Sequence, residues 1–199
     1  MDMNTSKSLK NNKPPHFVGL GGGGSNVVEH IQRQGVKAHF TCITYPKRQS
    51  NASIEYIPFK HPGHNSPTYL LTPDMIADFD RTTLLPILDS LLDIFSNDRH
   101  FILLSGLGGY TGSRLTEILT QWLYANGKSF QTICCTPFSC EGKERNAFAM
   151  VTLAKLAIFP NVHHLSLESF EKQYGDLPLN QAFHKANEDF YRIYQDLLA

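Results

Sequence analysis

Four consecutive glycines, Gly21 to Gly24, stand between a short apolar stretch, Phe17 to Leu20, and a segment whose apolar residues Val27, Val28 and Ile31 recur at helical spacing. Few junctions constrain a fold so strongly. A strand, a glycine turn and a helix in that order make a loop whose backbone can approach an anion closely. The unpaired N–H groups and the dipole of the helix start favour negative charge there. A phosphate is the expected guest. Gly19, Gly21 and Gly24 also satisfy the dinucleotide pattern GxGxxG, which pairs with an acid after the second strand to hold a ribose. In this chain that position reads Ile43, Thr44, Tyr45, Pro46. The missing acid weakens a nicotinamide- or flavin-dependent oxidoreductase reading without closing it.

A second junction of the same kind follows the apolar run Phe101 to Ser105 and reads Gly106, Leu107, Gly108, Gly109, Tyr110, Thr111, Gly112, Ser113. Two glycine loops at the carboxyl ends of separate strands can grip one polyphosphate from two sides, with Thr111 and Ser113 supplying hydroxyls. The bland alternative is a pair of tight strand-to-helix turns, but so many glycines exceed what a turn requires. Neither loop carries the Walker lysine, so a P-loop ATPase is excluded.

The rest of the chain repeats the strand–helix alternation. Phe17 to Leu20, Ala38 to Thr44, Ile54 to Phe59, Phe101 to Ser105, Phe130 to Thr136 and Val162 to Leu167 read as strands. Leu115, Ile118, Leu119, Trp122 and Leu123 form one face of a helix that Asn126 and Gly127 stop. Ala147, Met150, Val151, Ala154 and Ile158 repeat the pattern and predict the buried face of the next helix. Asp74 to Phe95 is helical in period with an interruption at Pro86. The fold class expected is α/β, a Rossmann-like three-layer αβα domain with a mainly parallel sheet. One domain over 16–199 is expected, preceded by a polar tail from Met1 to Pro15, with Pro46 to Pro73 as a surface excursion.

Charge and composition narrow the partners. Lys and Arg together number 18, as do Asp and Glu, and the basic residues are scattered, so a nucleic-acid partner is not expected. No apolar stretch approaches the roughly 20 residues of a membrane span. Cys42, Cys134 and Cys135 sit in strand-like runs and suit a reducing cytoplasm. Adjacent on one strand, Cys134 and Cys135 point to opposite faces and cannot share a metal or a disulfide. His61 and His64 have no further zinc ligands at recognisable spacing.

With these loops in place, the chain resembles the tubulin/FtsZ family, whose first loop reads GxGGGGxN and whose signature loop reads GGGTGxG. Thr136 to Arg145 is similar to the family's KPFxFEGxxR segment, and Leu179 to Asn187 looks like the start of its long central helix. The resemblance covers most of the chain in the family's order. It implies guanine nucleotide, GTP or GDP with Mg2+, held by Gly21, Gly22, Gly23, Gly24, Ser25 and Asn26 and by Gly108, Gly109, Tyr110, Thr111 and Gly112. Glu141 and Arg145 inherit contacts to the sugar, Phe183 stacks on the base, and Asn187 reads its edge. By the residues alone, Phe183, Ala186, Phe190, Ile193 and Leu197 also form an ordinary apolar helix face. Glu141 and Arg145 are also spaced as an i, i+4 ion pair worth about 0.2–0.5 kcal/mol.

The departures from the family set further expectations. Tyr110 stands where the family has glycine, and a side chain there is expected to crowd the phosphates. The family's polar residues beyond the second strand and its glycine-rich loop after the third are replaced. The sequence ends at Ala199 on the central helix, short of the family's second domain and acidic catalytic loop. Binding without efficient hydrolysis is therefore expected, and no catalytic residue is assigned. Phe190, Tyr191, Ile193, Tyr194, Leu197 and Leu198 put apolar residues on more than one face of the last helix. That predicts self-association or an FtsZ-like partner there. A protein of the same fold that no longer binds nucleotide and serves as an assembly adaptor is the alternative.

Overall fold

The computed structural model describes residues 13–45, 51–61, 72–169 and 177–198. Most of the expected tail, through residue 12, and most of the expected excursion, His64 included, lie outside those residues. All six expected strands form: β1 (His16–Leu20), β2 (His39–Thr44), β3 (Glu55–Pro58), β4 (Phe101–Gly106), β5 (Phe130–Thr136) and β6 (Val162–Ser166). They make one sheet in the order β3-β2-β1-β4-β5-β6, and every neighbouring pair is parallel. The central strands are near-continuous apolar runs because helices cover both of their faces.

Alternation along the strands sorts the core into two sides. Val18, Leu20, Phe101 and Leu103 face one side, where α4 (Tyr110–Ala125) packs through Leu115, Leu119 and Leu123. The segment before β4 packs there too. It begins with α2 (Pro73–Phe79), whose first turn is capped by the Thr72 side chain accepting from Met75 N–H at 3.3 Å. It continues through a π-helical stretch, Asp80–Leu84, a 3₁₀ turn, Leu85–Ile87, and α3 (Leu88–Leu92). The interruption expected at Pro86 is present, and the π-helical widening precedes it.

Phe17, Phe40, Ile102, Leu104 and Ile133 face the other side. There α1 (Gly21–Arg33) lies beside the last helix, α6 (Leu179–Leu198). Phe190 and Tyr194 of α6 are buried in that cluster, with Tyr194 edge-on to Phe17 at 4.8 Å. Tyr191, Ile193 and Leu197 are only partly buried against it.

One expectation is overturned. In α5 (Lys143–Leu156) the residues turned inward are Ala149, Thr152 and Leu156, and Ala149 and Leu156 pack with Leu107 and Cys134. Ala147, Met150, Val151, Ala154 and Ile158, expected to form the buried face, are all exposed. The spacing detected a real apolar stripe but not its direction. Helical period is blind to which side of the cylinder meets the sheet, and small residues are enough for close packing on the inner side.

Candidate functional site

Strands β1 and β4 are neighbours at the centre of the sheet, and the chain leaves them toward opposite faces, α1 to one side and α4 to the other. This is the topological switch point, where the carboxyl ends of the strands open a crevice. Both glycine loops sit there. Gly21 begins α1 at φ +71°, and a side chain on it would press on the Gly112 N–H at 3.1 Å, so the loops touch. Gly24 lies so close to β4 that a Cβ would collide with the Leu104 carbonyl oxygen. Around Gly22 and Gly109, by contrast, nothing lies within 4 Å of an added Cβ. The glycines thus divide into those required by the close seating of helix on strand and those that leave an open backbone.

The cleft beside the first loop has a volume of about 530 Å³ and runs between α1 and the start of α6. Gly23, Asn26, Glu141, Arg145, Phe183 and Asn187 line it, so residues from three separated segments meet there. Gly106 and Leu107 bring in the second loop. Phe183 is 38% exposed and meets Phe138 edge-on at 5.5 Å, whereas Ala186 and Phe190 on the same helix are buried. The apolar face of α6 therefore divides, with its first aromatic at the cleft and the rest in the core. Asn187 is half-buried one turn further on.

Glu141 closes a 3₁₀ turn by accepting the Phe138 N–H at 2.9 Å, and its other oxygen faces Arg145 Nε at 3.4 Å. The i, i+4 pair is formed, and it also edges the cleft. Arg145 lies against the second loop, where Gly108 has φ +95° and a Cβ would meet Arg145 Cγ at 2.7 Å. Cys135 also lines the cleft, and burial, with the neighbouring Cys134 and Glu141, pushes its thiol well up, so it stays protonated. Burial pushes Cys134, on the opposite face, up to about 12.

Two hydroxyls are turned inward. Ser25 is fully buried and donates to the Gly21 carbonyl at 2.8 Å. Ser113, also buried, accepts the Gly108 N–H at 2.9 Å, bracing the second loop. Thr111 is half-buried at the start of α4.

Tyr110 departs from expectation. It does not crowd the crevice: its ring is 2% exposed and runs into the core, stacked on Phe59 at 6.3 Å and edge-on to Phe79 at 5.3 Å. Its hydroxyl donates to Asp80 Oδ1 at 2.8 Å. Arg114 grips the same carboxylate with two bonds, of 3.2 and 2.6 Å, and also holds Glu117. Burial works against the Arg114 charge, but Asp80 and Glu117 outweigh it and hold the guanidinium pKa up. Sequence reasoning missed this anchor because Phe59, Phe79 and Asp80 are remote along the chain. Its readable trace is a large aromatic in a glycine loop.

Among the described residues no group of three or more His, Cys, Asp or Glu side chains is placed to hold a metal ion, and no helix is long and apolar enough to cross a membrane. His61 is buried against Phe79 and Tyr110.

No protein-family model matches the chain. The cell division protein FtsZ of Mycoplasmopsis pulmonis is 26% identical to it over 169 residues, 83% of this chain and 42% of that protein. The chain thus spans about two fifths of the length of this curated relative. Among solved structures, an empty FtsZ dimer of M. jannaschii superposes with a TM-score of 0.73 at 19% identity, over 96% of this chain and 55% of that one. CetZ2 of Haloferax volcanii, a GTPγS-bound protofilament, gives 0.68 at 16%, over 94% and 58%. With its sheet order, its paired glycine loops and these likenesses, the chain has the fold of the GTP-binding domain of the tubulin/FtsZ family.

Proposed function

We propose that the protein is an FtsZ-like guanine-nucleotide-binding protein that takes part in filament assembly or cell division in the cytoplasm. One observation carries the reading: two glycine loops meet at the switch point of the sheet, beside a cleft that ends in an aromatic and two asparagines. The open backbone at Gly22 and Gly109 is where phosphates would approach, with Gly21, Gly23 and Gly24 and with Gly108, Thr111 and Gly112 shaping the two loops. Ser25 contributes its backbone, since its hydroxyl is engaged. Glu141 and Arg145 would flank the sugar, Phe183 would stack on the base, and Asn26 and Asn187 would read its edge. Tyr110, turned into the core, removes the steric objection to phosphate at the second loop and with it the main support for a non-binding adaptor.

A magnesium ion accompanying a triphosphate would be held chiefly by phosphate oxygens, as is usual for this ion. Neither glycine loop carries a carboxylate or glutamine to position water, so this chain alone turns nucleotide over slowly. The partly buried Tyr191, Ile193 and Leu197 on α6 are where a further copy or an FtsZ-like partner would rest. Calorimetry with GTP, GDP, ATP and NAD+ tests the reading. Binding of GTP and GDP in preference to ATP is expected, and preference for NAD+, or no binding at all, would sink it.

A further inference from the structure

Among the described residues, the outward stripe of α5 is an exposed apolar feature that the nucleotide reading does not use. Met150 is 57% exposed, Val151 55% and Ile158 78%, with exposed Ala147 before them and exposed Ala154 between. At 100° per residue the four on the helix, Ala147, Met150, Val151 and Ala154, lie opposite the buried Ala149, Thr152 and Leu156, and Ile158 follows in the turn after the helix. Tyr124, 54% exposed at the end of α4, extends the patch through its edge-on contact with Phe159 at 5.3 Å. A solvated helix face carries charged or polar residues at such positions.

The pattern says what covers it. About a point between Met150 and Val151 the four helical residues of the stripe are two-fold symmetric: Ala147 mirrors Ala154, and Met150 mirrors Val151, while Ile158 lies beyond the helix and is mirrored by Lys143. An isologous pair of antiparallel helices needs this self-complementarity, with small residues where the backbones draw close and larger ones at the centre. The charges agree. Glu144 and Lys155 lie on the same flank of the stripe near its two ends, and an antiparallel pairing sets Glu144 of each copy opposite Lys155 of the other. Lys155 already bonds Glu117 at 2.9 Å, and its ammonium has donors for a second carboxylate.

We infer that α5 is a homotypic docking surface, through which two copies of this chain associate side by side about a two-fold axis. The nucleotide cleft stays open in this arrangement, because Arg145 lies on the side of α5 that meets the cleft, with Glu141 in the turn before it, and the stripe lies on the outer side. The contact is isologous, and so closes at two copies. The patch is small beside the roughly 1,200–2,000 Å² of stable interfaces, so the association is weak and concentration-dependent.

Sedimentation velocity of the full chain without nucleotide, from about 5 to 500 µM, tests this, the range in which small interfaces associate. A monomer–dimer equilibrium is expected. Val151→Lys should weaken it by about tenfold or more, with an unchanged circular-dichroism melting curve because the position is on the surface. Glu144→Lys should weaken it as well, and Glu144→Lys combined with Lys155→Glu should restore it. A strict monomer over the whole range overturns the proposal, as does a dimer that Val151→Lys leaves intact. Association that appears only with added nucleotide and ignores both substitutions also overturns it, while leaving the nucleotide reading untouched.

Discussion

At the end of β1 the helix start is held by backbone against backbone alone, with Gly24 seated on the Leu104 carbonyl, whereas at the end of β4 a like seat of Gly112 on the Gly106 carbonyl is joined by a side chain, Tyr110 driven into the core and tied to Asp80. Both arrangements fix a helix N-terminus at the same crevice. The first depends on the absence of a Cβ, so nothing larger than glycine fits. The second adds a large ring to such a seat, and the ring ties the loop to the segment before β4. A loop fixed by close backbone approach is legible as a glycine run, and one fixed by an anchor looks, in sequence, like a damaged motif.

Substitutions should separate the two. The largest effect is expected for Gly24→Ala, whose methyl has no room beside Leu104 and Gly19. A loss above about 4 kcal/mol in urea unfolding is expected, and a wild-type midpoint would mean that α1 slides freely on the sheet. Tyr110→Ala should cost about 3–4 kcal/mol through its lost buried ring, mostly in the packing of 73–95 against α4. Amide exchange confined to that segment checks the location. Tyr110→Phe keeps the ring and the Arg114–Asp80 pair, so about 1 kcal/mol is expected for the single hydrogen bond. Gly22→Ala meets open space and should change stability by less than about 0.5 kcal/mol. Its dissociation constant for GTP should nevertheless rise about tenfold, equivalent to 1.4 kcal/mol. Unchanged affinity in calorimetry would remove Gly22 from the phosphate site.

The smallest effect, in ordinary buffers, comes from the far end of β1, away from both loops. His16 is buried there with Nε2 bonded to Thr41 Oγ1 at 2.8 Å, and burial, aided by His39 and Arg99, lowers its pKa to about 4. The unfolded chain binds this proton near the ordinary 6.5. Neutral His16 therefore contributes its full stability above about pH 6.5 and loses it as pH falls toward 4. Melting temperatures followed from pH 7.5 to 4.5 should decline, with a shallower decline for His16→Asn. His100 is lowered by burial in the same direction and would leave part of the slope.

The six strands and the two glycine loops were readable because their signals are local: short strand-like runs four to seven residues long, two of them, β1 and β4, followed by a turn that glycine makes easily. Phe183 was ambiguous in sequence, since an apolar face looks the same whether it meets a core or a cleft, and only the meeting of α1, α6 and the Phe138 turn exposed it. Ser113 read as a hydroxyl for a ligand, and Ser25 as part of the loop that holds the nucleotide. Their engagement with Gly21 and Gly108 depends on rotamers, which sequence spacing does not carry.

Sequence by itself determined the parallel α/β alternation, the strand ends at which an anion would sit, and the stripe on α5, because each follows from residue type and period along the chain. Only the tertiary structure decided where side chains point. It sent Tyr110 into the core toward Phe59, Phe79 and Asp80, and it turned Met150 and Val151 to solvent. The reason is physical. A period defines a face, but which face is buried depends on what the rest of the chain brings against it.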